Sequence, residues 1–380
     1  MDRKETELHG GNIYKVFRER NIKDVLDYSS NINPYGIPES LKKAIRENLN
    51  ILERYPDPDY IQLRSKIAFE NKVDISNVIL GNGATEIIFL YMRVVKPKKI
   101  IIVSPTFAEY ERALKAVQEN VEDGLQIDYF PLKEEEGFNA NVENLISELE
   151  RGYDLLIMCN PNNPTGKFLP LEEMEKIMGK CNEKETRLFV DEAFIEFVEG
   201  GAEKSVINVK GNKKNLFVVR AFTKFFAIPG LRLGYGICPD EETDFAMDEK
   251  KEPWSVNNIA ELAGITVLGD SEYIKKTERW IKEEKEYVYK KLQSIDGIKP
   301  YETEVNFILV KIEDNMVKKG INAAKLKEMM LERGILIRDA SNFKYLDESY
   351  FRLAIKDRKN NDRVADVLKE VLKYMKTSIE

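Results

Sequence analysis

The chain has 380 residues, of which 43% are hydrophobic and 33% are charged, and its formal net charge is −7. This length predicts two domains, and the balance of residue types supplies enough apolar side chains for a sizeable core. The negative charge, without a block of basic residues that would form a positive face, argues against nucleic acid as a partner.

Short apolar runs without polar alternation predict strands that are buried on both faces. They lie at 78–80, 100–103, 155–158, 188–190 and 216–219. Helical patterns such as the one at 171–179 separate most of these runs. This alternation predicts an α/β fold in which a mostly parallel sheet lies between helices.

The pattern changes after about residue 270, where longer charged segments begin. The predicted elements are a charged amphipathic helix at 273–292, strands at 306–310, 335–338 and 351–355, a helix at 323–333 and a C-terminal helix from Asp362. They predict a smaller α+β domain. We expect a large ligand-binding domain at 46–270 and a small domain formed by 1–45 together with 271–380.

The N-terminus has no apolar stretch typical of a signal peptide, and no apolar run approaches the length of a membrane span. Cys159, Cys181 and Cys238 are odd in number and far apart, which predicts neither a disulfide framework nor a zinc site. A soluble protein in a reducing cytoplasm is therefore expected. The single histidine, His9, excludes a metal site built on two or three histidines. The acidic run at 134–136 is interpreted as a solvated loop.

Polar residues follow the predicted strands at the edge where open α/β sheets bind ligands. Lys224 comes shortly after the strand at 216–219, with Thr223 before it and Arg232 eight residues after it. The lysine amine can form an imine with a phosphorylated aldehyde cofactor and later move a proton, and Arg232 can bind the phosphate. A surface lysine after a strand is the plain alternative, which the neighbouring Gly230 and Arg232 disfavour.

Four further strand ends offer groups suited to an aromatic cofactor that carries a phosphate. Asp191 can keep a pyridine nitrogen protonated, and an asparagine in the turn at 160–166 can donate to a phenolic oxygen. The segment 81–86 opens a helix whose free amides suit a phosphate, although Glu86 stands where a dinucleotide-binding motif needs its third glycine. Phe107 can stack on the pyridine ring. Helix caps, turns and core packing are the alternatives for these residues.

Taken together, these strings resemble fold-type I pyridoxal-5′-phosphate (PLP) enzymes, the aspartate aminotransferase superfamily, along nearly the whole chain and in the same order. The resemblance implies that PLP is the cofactor, that Lys224 is the Schiff-base lysine and that Asp191 is the partner of the pyridine nitrogen. The other implied cofactor residues are Asn163 for the phenolic oxygen, Phe107 for the stacking ring, and Gly83, Ala84, Thr85, Thr223 and Arg232 for the phosphate.

The resemblance also implies a homodimer with shared active sites and a substrate site. Tyr55 is similar to the tyrosine that reaches the cofactor phosphate of the neighbouring subunit. Arg352 resembles the arginine that binds the α-carboxylate of the substrate. Arg338, His9 and Asn33 are further candidates for contacts with the substrate, an amino acid that is expected to be phosphorylated.

Two branches of the superfamily are close to this sequence: histidinol-phosphate aminotransferase and L-threonine-O-3-phosphate decarboxylase of cobalamin biosynthesis. The segments that resemble the decarboxylase branch lie at 9–12, 30–34, 223–230, 253–257 and 338–343. Phe194 stands where most aminotransferases carry a tyrosine, whereas Ala221 and Tyr345 depart from the family pattern. Decarboxylation of a phosphorylated amino acid is the leading interpretation and transamination is the alternative. A PLP-binding sensor without activity is disfavoured, because the fold uses the whole chain and leaves no DNA-binding module.

Overall fold

The computed structural model describes residues 10–20, 24–117 and 124–377. Its strands are β1 (Leu26–Asp27), β2 (Val78–Asn82), β3 (Lys99–Ser104), β4 (Gln126–Pro131), β5 (Leu155–Cys159), β6 (Arg187–Asp191), β7 (Leu216–Ala221), β8 (Leu233–Ile237), β9 (Ile298–Pro300), β10 (Phe307–Ile312), β11 (Ile335–Leu336), β12 (Arg338–Asp339) and β13 (Tyr350–Ala354).

Helices connect and cover these strands. They are α1 (Ile13–Arg20), α2 (Glu39–Glu47), α3 (Ile61–Asn71), α4 (Ala84–Val95), α5 (Glu109–Val117), α6 (Val142–Leu149), α7 (Leu171–Glu183), α8 (Gly201–Lys204), α9 (Phe222–Phe225), α10 (Glu241–Lys250), α11 (Asn258–Leu268), α12 (Ser271–Gln293), α13 (Asp314–Val317), α14 (Ala323–Leu331) and α15 (Arg358–Thr377). In the described part of the chain, none of them is long and apolar enough to cross a membrane.

Seven strands form one sheet in the order β2-β8-β7-β6-β5-β3-β4. All neighbours from β7 to β4 are parallel, and β8 is antiparallel to both β2 and β7. The five apolar runs of the sequence became β2, β3, β5, β6 and β7, so the prediction of a mostly parallel α/β sheet is confirmed.

The strands form because their apolar side chains are buried on both faces of the sheet. Successive residues of β6 alternate between two hydrophobic clusters: Val190 joins one cluster, whereas Phe189 joins the other. Phe189 stacks on Phe217 of the neighbouring strand, with ring centroids 5.4 Å apart. This two-sided burial explains why the sequence of these strands lacks polar alternation.

Two smaller sheets hold the rest of the strands. An antiparallel sheet has the order β12-β13-β10-β9, and β1 pairs with β11 in a two-stranded parallel sheet. The run at 335–338, predicted as one strand, is two strands in different sheets. The strands of the large sheet all fall within 46–270 and those of the small sheets outside it; the division into domains at these residues stays a prediction.

Candidate active site

A cavity of about 220 Å³ lies between the carboxyl ends of the large-sheet strands and the small antiparallel sheet. Ten of the residues predicted for the site line it: Ala84, Thr85, Phe107, Asn163, Asp191, Thr223, Lys224, Arg232, Arg338 and Arg352. These residues come from segments spread over 269 positions of the sequence, from 84 to 352 counted inclusively. The fold therefore brings together most of the set that the sequence motifs indicated.

Asn33 does not line the cavity, in contrast to its predicted contact with the substrate. Its side chain is buried, and its Nδ2 donates to the carbonyl oxygen of Phe225 and to Oγ1 of Thr277, both at 2.8 Å. Its backbone N–H donates to the carbonyl oxygen of Lys224 at 3.1 Å. Because its amide hydrogens are engaged in this way, Asn33 supports the helical turn that carries Lys224.

Two other predicted residues, Gly83 and Tyr55, are not among the residues that line the cavity. Gly83 is the residue before α4 and packs against the side chain of Arg232. Tyr55 is 81% exposed, and its ring lies 5.0 Å from that of Trp254. His9 lies outside the described residues, so its predicted contact with the substrate stays a prediction.

Lys224 lies on the single turn of α9, which follows β7 directly, and its side chain is half-buried. Burial lowers the pKa of its ammonium group, and the positive charges of Arg232 and Arg352 lower it further, to about 8, against the attraction of Asp191. The amine is therefore available as a nucleophile at a lower pH than an ordinary lysine.

The rate at which the apoprotein captures PLP is expected to rise with pH, with a midpoint near about 8, because only the neutral amine attacks an aldehyde. For a lysine with an unperturbed pKa, this midpoint would lie at a pH of about 10.4. Arg352→Gln removes a like charge, so it is expected to move the midpoint upward. Stopped-flow absorbance of the lysine-bound cofactor across this pH range checks both statements, with Arg333→Gln as a remote control. A wild-type midpoint near that of free lysine would contradict them.

Asp191 ends β6 and is buried. Its Oδ2 accepts the hydroxyl of Tyr110 at 2.7 Å, and its Oδ1 accepts the backbone N–H of Ala193 at 2.8 Å. Burial raises the pKa of Asp191, whereas these two hydrogen bonds favour the ionised carboxylate. The sequence analysis missed Tyr110, although a hydroxyl three residues after Phe107, in the first turn of a helix, was the available signal.

The N-terminus of α4 faces the cavity with the amides of Ala84 and Thr85. Gly83 has a φ of 78°, and a Cβ atom there would lie 2.5 Å from Nη2 of Arg232. Glycine at this position thus lets the guanidinium approach the start of the helix. A cation beside free helix amides forms an anion site. Ala221 also lines the cavity and adds no hydroxyl to it.

Arg338 and Arg352 are opposite each other in β12 and β13, and both are buried. Nη1 of Arg352 donates to Oδ1 of Asn163, and Nη2 donates to the carbonyl oxygen of Ser29 at 3.0 Å. Nη2 of Arg338 donates to Oδ1 of Asn342 at 2.7 Å. The oxygens of Asn163, Ser29 and Asn342 are neutral, and the negative charge of Asp27 also acts on Arg352. Like charges opposite each other in a sheet repel, so this pair indicates a place for anions.

Two buried polar atoms of cavity-lining residues have no hydrogen-bond partner among the described residues. They are Nε of Arg352 itself and Oδ1 of Asn31. Burial, and then the charge of Arg338, lower the pKa of Arg352. Gly10, Ser29, Ser30 and Asn31 also line the cavity, although the sequence analysis assigned them no role in the site. Only their place in or next to the motifs at 9–12 and 30–34 pointed to them.

The residues of the cavity fit PLP at three of its functional groups. A lysine of lowered pKa suits the aldehyde, a buried carboxylate suits the pyridine nitrogen, and a helix N-terminus with Arg232 suits the phosphate. When bound, PLP supplies an electron sink that weakens the bonds at the α-carbon of an amino acid. With the α/β fold, this site defines the class of the protein: a PLP-dependent enzyme.

Comparison with known proteins agrees with this class. The family model for class I and II aminotransferases matches residues 23–368, and the chain belongs to this family. A protein of Caldanaerobacter subterraneus subsp. tengcongensis with the provisional name threonine-phosphate decarboxylase is 43% identical over 361 residues, 95% of this chain and 93% of that protein. The threonine-phosphate decarboxylase of Salmonella typhimurium is 36% identical over 366 residues, 96% of each chain.

A solved structure described as the histidinol-phosphate aminotransferase of Clostridium acetobutylicum is also similar to this chain. Its TM-score is 0.83 at 37% identity, and the match covers 92% of this chain and 100% of that one. The family and the cofactor are therefore established by similarity, whereas the relatives carry two different activities.

Proposed function

We propose that this enzyme is a carboxy-lyase that decarboxylates L-threonine-O-3-phosphate or a closely similar phosphorylated amino acid. The observation that carries the proposal is the adjacent buried pair Arg338 and Arg352, both of which line the cavity. A phosphorylated amino acid has a carboxylate and a phosphate, one anion for each guanidinium. The two relatives with decarboxylase names support the same substrate class. A place in cobalamin biosynthesis is supported by an adenosylcobalamin biosynthesis bifunctional protein of Leptospira interrogans, which is 31% identical over 96% of this chain and 41% of that protein.

In this proposal, each residue acts on a stated group of the substrate. Arg352 binds the α-carboxylate and orients its bond to the α-carbon, and Arg338 binds the phosphate. The bond between the α-carbon and the carboxylate breaks, and CO2 leaves without its electron pair. Lys224, the one amine among the described residues that line the cavity, delivers a proton to the α-carbon. Asp191 supports the process by keeping its negative charge close to the pyridine nitrogen.

A histidinol-phosphate aminotransferase is the second candidate, favoured by the solved structure at 37% identity. One feature weighs against it. Phe194, which lines the cavity with its ring at 5.0 Å from that of Phe307, supplies no hydroxyl where most aminotransferases carry a tyrosine.

The test is a paired assay on the purified, PLP-loaded protein. L-threonine phosphate is supplied alone with detection of CO2, and histidinol phosphate is supplied with 2-oxoglutarate and detection of glutamate. CO2 without glutamate is the expected result. Glutamate without CO2 would reject the decarboxylase and select the aminotransferase. Substrate-free protein and L-serine phosphate, which lacks the methyl group, serve as controls for specificity.

The active enzyme is proposed to be a homodimer in a reducing compartment such as the cytoplasm. Tyr55 and Trp254 support the dimer, because they form an exposed aromatic pair on the surface of the single chain. The three cysteines are free and buried, which suits a reducing compartment. Light scattering on the assayed preparation tests the homodimer, because one chain has a mass of 44.0 kDa and a dimer has twice that mass.

A further inference from the structure

Glu134 begins a short 3-10 turn, Glu134–Glu136, just beyond the end of β4. The sequence analysis interpreted this acidic run as a solvated loop. That interpretation describes Glu135, whose side chain is exposed, but it is wrong for Glu134, whose side chain is only 29% exposed. Glu134 is instead surrounded by side chains of the small antiparallel sheet.

Four side chains donate to this one carboxylate. Its Oε1 accepts the hydroxyl of Tyr301 at 2.6 Å and the ammonium of Lys299 at 3.0 Å. Its Oε2 accepts the ammonium of Lys311 at 2.8 Å and the hydroxyl of Tyr350 at 2.9 Å. Burial opposes ionisation of Glu134, but these hydrogen bonds outweigh it and lower the pKa of the carboxyl to about 2. The carboxylate of Glu134 is therefore ionised near neutral pH.

These donors share a sheet face with the substrate arginines. Lys311 is the cross-strand partner of Tyr350, just as Arg338 is the partner of Arg352. Tyr350 and Arg352 are two residues apart in β13, so their side chains point to the same face, at a spacing of roughly 7 Å along the strand. The carboxylate of Glu134 thus holds Tyr350 and Lys311, and Tyr350 is the neighbour of Arg352 on the same face of β13.

On its other side, Glu134 is joined firmly to the large sheet. β4 pairs with β3 along six residues, and beyond the strand the N–H of Leu132 still donates to the carbonyl oxygen of Ser104 at 2.7 Å. The same sheet carries Asp191 at the end of β6 and leads into Lys224 after β7. Glu134 therefore connects the sheet that presents the cofactor residues to the sheet that presents the arginines.

We propose that Glu134 is a positioning residue for substrate binding, which sets the face that carries Arg338 and Arg352 at the correct distance from Lys224. Charge-assisted hydrogen bonds are the strong ones, and four of them on one carboxylate define a geometry. Small displacements of a positioning group are enough to reduce turnover greatly. The inference rests on the proposed function only for the identity of the substrate.

The test is Glu134→Gln in the full-length, PLP-loaded enzyme. We expect KM to rise by about tenfold or more, the effect of losing a charge-assisted hydrogen bond, while the affinity for PLP and the absorbance of the bound cofactor stay at wild-type values. Glu135→Gln is the matched control, because it removes the same charge from the same turn and is expected to change nothing.

Tyr350→Phe removes one donor and no charge, and it keeps the test valid if Glu134→Gln folds poorly. It is expected to raise KM in the same direction by a smaller factor, and the double variant is expected to be less impaired than the product of the two single effects. A KM within about twofold of wild type in Glu134→Gln, an equal rise in Glu135→Gln, or a parallel loss of PLP affinity would each overturn the proposal.

The choice of substrate does not decide this test. If the wild type forms glutamate from 2-oxoglutarate with histidinol phosphate as the amino donor, and releases no CO2, the proposed function fails. The same variants are then compared with histidinol phosphate as the substrate. Failure of the positioning role is a separate result: the wild type is active, and Glu134→Gln has the same KM as the wild type.

Discussion

Lys224→Ala is expected to lower the rate of CO2 release by at least about 10⁴-fold, because it removes the amine proposed both to hold the cofactor and to move the proton. The absorbance band of the lysine-bound cofactor is expected to disappear as well. The fold is expected to survive, since Lys224 lies among the like charges of Arg232 and Arg352, and its removal relieves repulsion.

The measurements are CO2 release, the absorbance spectrum after addition of PLP, and thermal unfolding. Lys214→Ala is the control, because this lysine is exposed and its side chain is remote from the cavity lining. A Lys224→Ala variant that keeps a tenth of the wild-type rate, roughly one order of magnitude of loss, would remove Lys224 from the chemistry. Equal losses in both variants would point to a general effect on the protein.

Arg352→Gln is expected to lower kcat/KM for the acidic substrate by roughly 10²–10³-fold, the usual effect of truncating one partner of a buried charge pair. The substitution removes the guanidinium proposed to bind the α-carboxylate, and it breaks the hydrogen bond to Oδ1 of Asn163. PLP is expected to bind still, because Lys224 and the N-terminus of α4 are unchanged.

Steady-state kinetics and a PLP titration check this prediction, with Arg333→Gln as the matched control. Arg333 follows α14 and donates to the carbonyl oxygen of Met329 in that helix at 2.9 Å. A decrease of less than about threefold in Arg352→Gln would exclude a direct contact of Arg352 with the substrate. A decrease that comes with loss of PLP would instead assign Arg352 to the cofactor.

The strands buried on both faces could be predicted because nothing in their sequence competes with the apolar pattern. The two strands of the large sheet that were missed lack such a pattern. β4 is an edge strand with half-buried residues, and β8 contains Gly234 and Gly236. These glycines have a reason that only the fold reveals: a Cβ atom at Gly234 would overlap the start of α4 at Ala84.

For the site, motifs identified residue types but not the directions of side chains. Asn33 belongs to a motif similar to that of the decarboxylase branch, yet its amide turns away from the cavity to Phe225 and Thr277. Arg338 and Arg352 are far apart along the chain, and only the antiparallel register of β12 with β13 makes them neighbours. Glu134 looked like an ordinary surface charge because its partners come from strands that follow it by more than 160 residues.

Because the two arginines carry like charges, the stability of the folded protein is expected to depend on the concentration of its anionic substrate. An empty site keeps two guanidiniums side by side in a low-dielectric environment, and each bound anion relieves part of that self-repulsion. A ligand that binds only the folded state raises the free energy of unfolding. Well above its Kd, this increase grows with the logarithm of the ligand concentration. The abundance of the intact enzyme in a cell would then follow its own substrate, without a separate regulatory site.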